Sequence, residues 1–447
     1  MAEAVAAAAI LALGAAGVIF VVWARPTRWA TAVLVLLAAL PLASLAAGVS
    51  RELPYDDAVR AAWEHRLVRV AVPALLAGAF ALAFLLRPEA FGQWVRRTLV
   101  LVSPISLVVV GAFVTSAPRV SSLVEFDRAE PAAADPSGCA PILALLFDEL
   151  SFSYLYDGGD IRPEFPVLRR FAAGATHYLS VGAPGGETLS AVPSLLAARR
   201  IESIRVEDDR LMELANGTLQ PFDATAREGL FASARARGFR NEVGGYYLAY
   251  CDLLDGLADA CHSRSFYNVN AWGDRFSPVD PVLTTFVLWP RQFPFGLLKN
   301  PPFALHQREL VADLSAFANR PLGNGRPVFR LVHFSVPHFP FVFDAGGYNP
   351  PFNPLRTSPD EAYVRQMQYV DRLVGEAIEG LREAGAYDRT AVAVFTDHGF
   401  RFGGREEDPR HVPFLVKMPG QQTRTDITES RQGETLLKEV MAGACVS

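Results

Sequence analysis

PILALLFDEL, residues 141–150, is an unbroken apolar run that stops on two acids, Asp148 and Glu149. A strand with one wet face alternates apolar and polar residues. A run without alternation belongs to a strand covered on both faces, as in a parallel sheet. VFRLVHF (328–334) and AVAVF (391–395) read the same way. Between them, residues 361–384 have helical spacing, with Met367, Val370, Val374, Ile378 and Leu381 on one face. Residues 165–173 are a shorter helix of the same kind. Strands alternating with helices predict an α/β domain with a mainly parallel central sheet flanked by helices. Its ligand site is then expected at the carboxyl ends of the strands.

Polar residues collect at those ends. Asp148 and Glu149 follow the first strand, Asp397, His398 and Gly399 follow AVAVFT, and His333 and His338 lie along and beyond FRLV. A charge inside such a strand would be costly to bury, whereas at its end it faces the crevice. Carboxylate oxygens mixed with imidazole suit a divalent metal, zinc or manganese better than an all-oxygen calcium or magnesium cage. GGETLSAVPSLL (185–196) adds a nucleophile. Two glycines let the backbone approach a ligand closely, and Thr188 falls where a helix N-cap belongs. Its hydroxyl and the nearby N–H groups would meet an anion there. A threonine hydroxyl is weakly nucleophilic until a metal lowers its pKa. The alternative is a plain cap, but the Gly-Gly entry and the following PSLL favour the nucleophile.

The 447-residue chain is 51% hydrophobic and 20% charged, below the about 25% usual for soluble domains, and its mean hydropathy is +0.19. A net charge of −5 gives no reason to expect nucleic acid as a partner. Apolar residues concentrate before residue 117. Stretches 4–24, 29–49, 67–86 and 98–116 are each long enough to cross about 30 Å of hydrocarbon. Arg25 and Arg28 in one short loop, and Arg87, Arg96 and Arg97 in another, outweigh Arg51, Arg60 and Arg66 in the loop between. The positive-inside tendency then sets both termini outside the cytoplasm. The expected organisation is a transmembrane region of about four helices over 1–117, a Pro/Ala/Ser linker over 118–139, and an extracytoplasmic catalytic domain over 140–447. In an oxidising compartment Cys251 and Cys261, read as lying in a loop, are able to pair, and Cys139 and Cys445 flank the domain.

LLFDEL, GGETLSAVPSLL, FTDHG and HVPFLVKMPGQ, in that order, resemble the alkaline phosphatase superfamily. The nearer likeness is to its membrane-anchored sulfatase-like branch, which includes phosphoethanolamine transferases and lipoteichoic acid synthases. It covers about residues 140–420 and implies an alkaline-phosphatase-like domain. By this resemblance Asp148, Thr188, Asp397 and His398 would hold one divalent metal, with zinc ahead of manganese, calcium or magnesium. Thr188 would be the nucleophile. HFSVPHFPF implies that His338 meets the transferred group, and His411 would bind substrate phosphate or a second metal. Phosphoethanolamine transferases carry Glu where this chain has Asp148 followed by Glu149. Which of the two reaches the metal is open, with Glu149 read as an outer, metal-adjacent acid. Sulfatases of the CxPSR type need Cys or Ser two residues before the proline; this chain has Ala191, and Leu195 replaces the arginine. The implied activity is transfer or hydrolysis of phosphate or sulfate esters through a covalent threonine intermediate. The protein would sit integrally in the cell or inner membrane, with the lipid bilayer as partner and a lipid or envelope glycan as substrate. The alternatives are a sulfatase-like hydrolase with no acceptor but water, and an inactive envelope scaffold that keeps the fold.

Overall fold

In the computed structural model, residues 123–128, 138–265 apart from 208, 209 and 216, 301–349 apart from 323 and 324, 357–401 and 410–445 are described, with Gln93 and Arg97; of 301–306 only the backbone is. The four apolar stretches read as membrane spans lie outside them. Among the described residues no helix is long and apolar enough to cross a membrane.

The main sheet comprises β1 (Leu123–Asp127), β2 (Ile142–Asp148), β3 (Thr176–Tyr178), β4 (Arg240–Tyr247), β5 (Ala260–Ser265), β6 (Val328–Pro337), β7 (Ala391–Thr396), β8 (Phe414–Lys417) and β9 (Thr425–Ile427). Their spatial order is β1-β5-β4-β6-β2-β7-β8-β3-β9. From β5 to β7 every neighbouring pair is parallel. β8 runs against both β7 and β3, and β1 runs against β5. The apolar run at 141–150 therefore lies in the middle of a mainly parallel sheet, where both of its faces are covered.

Six helices cover those faces: α1 (Pro166–Ala172), α2 (Thr188–Ala197), α3 (Leu230–Ala236), α4 (Pro301–Ala318), α5 (Pro359–Glu383) and α6 (Gly433–Ala444). Ile142, Ala144 and Leu146 pack on one side with Leu196 of α2, Phe231 of α3 and Leu437 of α6. Leu143, Leu145 and Phe147 pack on the other with Leu168 of α1, Leu314 of α4 and Val374 of α5. Each fully buried side chain of this size contributes about 1.5–3 kcal/mol. The face predicted for α5 is the buried one, and Ser358 caps the helix by accepting from the Glu361 N–H at 3.1 Å.

Within 118–139, read as a linker, one described stretch is regular structure. Leu123–Asp127 forms β1, an edge strand paired with Ala260–Arg264. Its side chains alternate between exposed and half-buried, so it carries none of the continuous apolarity that marks the central strands. Val124 and Phe126 pack against the core, and polar ties add to this: Arg320 reaches Glu125 at 2.7 Å and Arg240 pairs with Asp127. The four cysteines form two disulfides, Cys139–Cys445 and Cys251–Cys261. Cys251 lies in the helical turn Tyr250–Leu253 and Cys261 in β5, not in a loop.

The register of the sheet sets the site. Thr396 pairs with Phe147, so Asp397 falls level with Asp148 beyond it. Between β6 and β2 the pairing slips after Phe334, and Pro337 meets Asp148. The N–H of His338 then donates to the Asp148 carbonyl at 3.1 Å.

Candidate functional site

Four side chains from three elements converge beyond β2. The Thr188 Oγ1 lies 3.5 Å from Asp148 Oδ1 and 3.4 Å from His398 Nε2. His398 Nε2 lies 3.6 Å from Asp148 Oδ1 and 3.5 Å from Asp397 Oδ2. All four are buried. A tetrahedron around a cation with bonds of about 2.1 Å has edges of about 3.4 Å, so the spacing fits four ligands around one ion. Asp148, Asp397 and His398 alone offer three ligand atoms within 4.8 Å of one another.

The hydrogen bonds around these groups point the right atoms inward. Asp397 Oδ1 accepts from the N–H of His398 at 2.8 Å and of Glu149 at 3.3 Å. Its Oδ2 is buried without a hydrogen-bond partner among the described residues, which is costly unless a cation meets it. His398 Nδ1 lies 3.0 Å from the Gly399 carbonyl. That acceptor requires the proton on Nδ1, so the Nε2 lone pair faces the carboxylates. Thr396 steadies the turn, donating to the His398 carbonyl at 2.8 Å and accepting from the Leu150 N–H at 3.0 Å.

Electrostatics favour the same conclusion. Burial, then the neighbouring charges of Asp397 and Glu149, pushes Asp148 well above the usual carboxylate range. Burial acts on Asp397 in the same sense, but the imidazoles of His398 and His333 carry it below its ordinary value. Buried carboxylates of like charge repel one another, and a divalent cation would neutralise both.

Thr188 is the first residue of α2 and not its cap; Glu187 holds the cap position in extended backbone. The hydroxyl is thereby turned from the helix toward Asp148 and His398. Gly185 is required by the helix itself, since a Cβ there would lie 2.5 Å from the Ala191 nitrogen. Gly186 opens onto free space. Gly185 thus serves the chain's own turn, while Gly186 leaves the approach to the site open.

Glu149 lies beside the cluster but is not one of its ligand-bearing side chains. Its backbone is left-handed, φ 65°, and its buried carboxylate pairs with Arg401 Nε at 2.8 Å. Of the two acids it is Asp148 that faces His398 and Thr188. His338 stands beside the cluster: its Nδ1 is 2.6 Å from the Phe339 carbonyl, and burial, against the charge of Glu149, pushes its pKa down. His411 is not brought into the cluster. Its Nε2 meets the Leu179 carbonyl at 2.9 Å and its ring stacks on Phe152 at 4.0 Å. Packing against Phe152 is what the sequence could not show. Arg401, Thr396, Tyr363 and Gln366 carry no sequence signal, being single polar residues whose partners are distant in the chain.

The sulfatase family model matches residues 142–441. No curated protein matches the chain. Similar solved structures include a 2-O GAG sulfatase, 14% identical, covering 69% of this chain and 71% of its own, with a TM-score of 0.44. The phosphonate monoester hydrolase of Agrobacterium radiobacter is 15% identical over 67% and 73%, with a TM-score of 0.41. A protein in the alkaline phosphatase superfamily from Vibrio parahaemolyticus is 15% identical over 70% and 71%, with a TM-score of 0.40.

Proposed function

The chain belongs to the sulfatase family, and on that premise we propose that it is a metal-dependent enzyme cleaving esters of a tetrahedral oxyanion, phosphate ahead of sulfate, through a covalent adduct on Thr188. The observation that carries this reading is the Thr188 hydroxyl, 3.5 Å from Asp148 and 3.4 Å from His398. Ala191, at the position where CxPSR-type sulfatases need Cys or Ser, speaks for phosphate.

A divalent cation held by Asp148, Asp397 and His398, zinc by its mixed oxygen and nitrogen donors, would lower the pKa of the Thr188 hydroxyl and draw charge from the ester oxygens. Thr188, its hydroxyl proton passed to solvent, would form the new bond to phosphorus as the ester oxygen departs with its electron pair and takes up a proton. The first turn of α2 aims its N–H groups and the positive end of its dipole at the same place, favouring the developing charge. With Nδ1 donating to the Phe339 carbonyl, Nε2 is the His338 atom left for the substrate, and it would donate to a phosphoryl oxygen or the leaving group as the imidazolium, a form that the negative charge of a bound phosphate favours. Water or an acceptor hydroxyl then releases the adduct, so hydrolysis and transfer share every earlier step.

The proposed setting is an extracytoplasmic domain on a membrane anchor, acting on a lipid or envelope glycan in the bilayer beside it. Disulfide pairing of all four cysteines supports an oxidising compartment. The test is peptide mass spectrometry of the zinc-loaded chain quenched during turnover of p-nitrophenyl phosphate. A phosphoryl group on the peptide containing Thr188 is expected. Turnover without that adduct, or undiminished in Thr188→Ala, would overturn the reading.

A further inference from the structure

α5 buries two polar side chains one turn apart, Tyr363 and Gln366, each with no exposed surface. An amide in such a place is costly unless every group is paired. Gln366 is fully paired. Its Oε1 accepts from the N–H of Val342 at 2.9 Å and of Phe343 at 3.3 Å. Its Nε2 donates to the carbonyls of Pro337 at 3.0 Å and His338 at 2.7 Å. All four bonds go to the backbone of one short segment, the one that carries His338 beyond β6.

Tyr363 acts likewise on the other two segments. Its hydroxyl donates to the Glu149 carbonyl and accepts from the Ser151 N–H at 2.9 Å, gripping the turn just after Asp148. Its ring stacks on Phe400 with centroids 3.9 Å apart and planes 6° from parallel, two residues past His398. A single helical turn thus touches the segments that follow β2, β6 and β7. The helix is itself fixed by an apolar face packed on the sheet.

The geometry points to Tyr363 and Gln366 as positioning residues that hold the Asp148, His338 and His398 segments in mutual register. Gln366 sets His338, and Tyr363 sets the metal-binding turns. As far as catalysis goes, this rests on the proposed function. A one-ångström error at a reacting group loses about a hundredfold in rate, so a buried clamp on these segments has work that packing alone does not require.

The experiment uses the full chain loaded with zinc and p-nitrophenyl phosphate as probe. Gln366→Met keeps length and burial but gives up all four bonds. It is expected to keep its zinc, lose at least about tenfold in kcat with KM within about threefold, and add no loss to His338→Ala. Diethyl pyrocarbonate labelling of His338, mapped by peptide mass spectrometry, should rise at least about threefold while that of His411 stays constant. Tyr363→Phe keeps the ring stack and loses the hydroxyl; it should weaken zinc binding at least about fivefold and leave His338 labelling unchanged. Should Gln366→Met not fold, Gln366→Glu, its buried carboxyl held protonated, keeps the acceptor oxygen and gives up one of the two donated bonds, and is read the same way. Unchanged His338 labelling, or losses that add between Gln366→Met and His338→Ala, would overturn the inference. If the wild-type chain shows no zinc-dependent turnover, the proposed function fails, while the labelling still decides whether Gln366 positions His338.

Discussion

At Thr188 the chemistry depends on one oxygen. Thr188→Ala deletes it at the first residue of α2, where no cap bond is lost, so the fold should hold. Activity should fall roughly a thousandfold or more, with Thr188→Ser restoring part of it; steady-state kinetics beside a thermal melt separate the two effects. His333 makes a different prediction. It is fully buried, bonded through Nδ1 to the Tyr250 hydroxyl at 2.7 Å, and burial pushes its pKa from 6.5 down to about 4. Between those values the unfolded chain binds a proton that the folded chain refuses. Stability is therefore full above about pH 6.5 and falls, by on the order of 3 kcal/mol, as pH drops toward 4. Denaturant midpoints across that range should show the slope, and His333→Gln should flatten it; an equal slope in both would contradict the assignment. Asp148, Thr188, Asp397 and His398 were legible as candidates because each stands at the end of a recognisable strand or helix. The choice of Asp148 over Glu149 was not, since the left-handed turn and the Arg401 partner exist only in three dimensions.

Among the elements, legibility followed burial. β2, β6 and β7 announce themselves because both faces are covered and their runs are apolar throughout. β1 and β9 do not: they close the sheet at its edges, half exposed, and their side chains mix charge with apolar residues. α5 was readable from its apolar stripe, but that pattern hides what its polar residues do. Asp371 illustrates this. From α5 its carboxylate accepts from the N–H groups of Leu168 at 2.6 Å and Val167 at 3.1 Å, capping α1, whose own cap residue Phe165 offers no side-chain bond. Asp371→Ala should therefore cost about 1–2 kcal/mol, as loss of a helix cap does. Urea denaturation checks the value, and a change near zero would mean that water replaces the cap.

For the molecule as a whole, Cys139–Cys445 closes 306 residues of chain whereas Cys251–Cys261 closes 10. Loop entropy alone assigns about 6 kcal/mol to the first and about 3 kcal/mol to the second. The double variant Cys139→Ser/Cys445→Ser should accordingly lose more stability in guanidinium than Cys251→Ser/Cys261→Ser, and equal losses would show that chain entropy does not govern. The sheet, the register of β7 on β2 and the helices on its two faces together bring residues 148, 188, 397 and 398 within reach of one ion. Elemental analysis of the purified chain beside Asp397→Ala tests that convergence directly. About one divalent metal per chain in the wild type and less than about a tenth of that in the variant is the predicted result. Equal metal content in the two would contradict it.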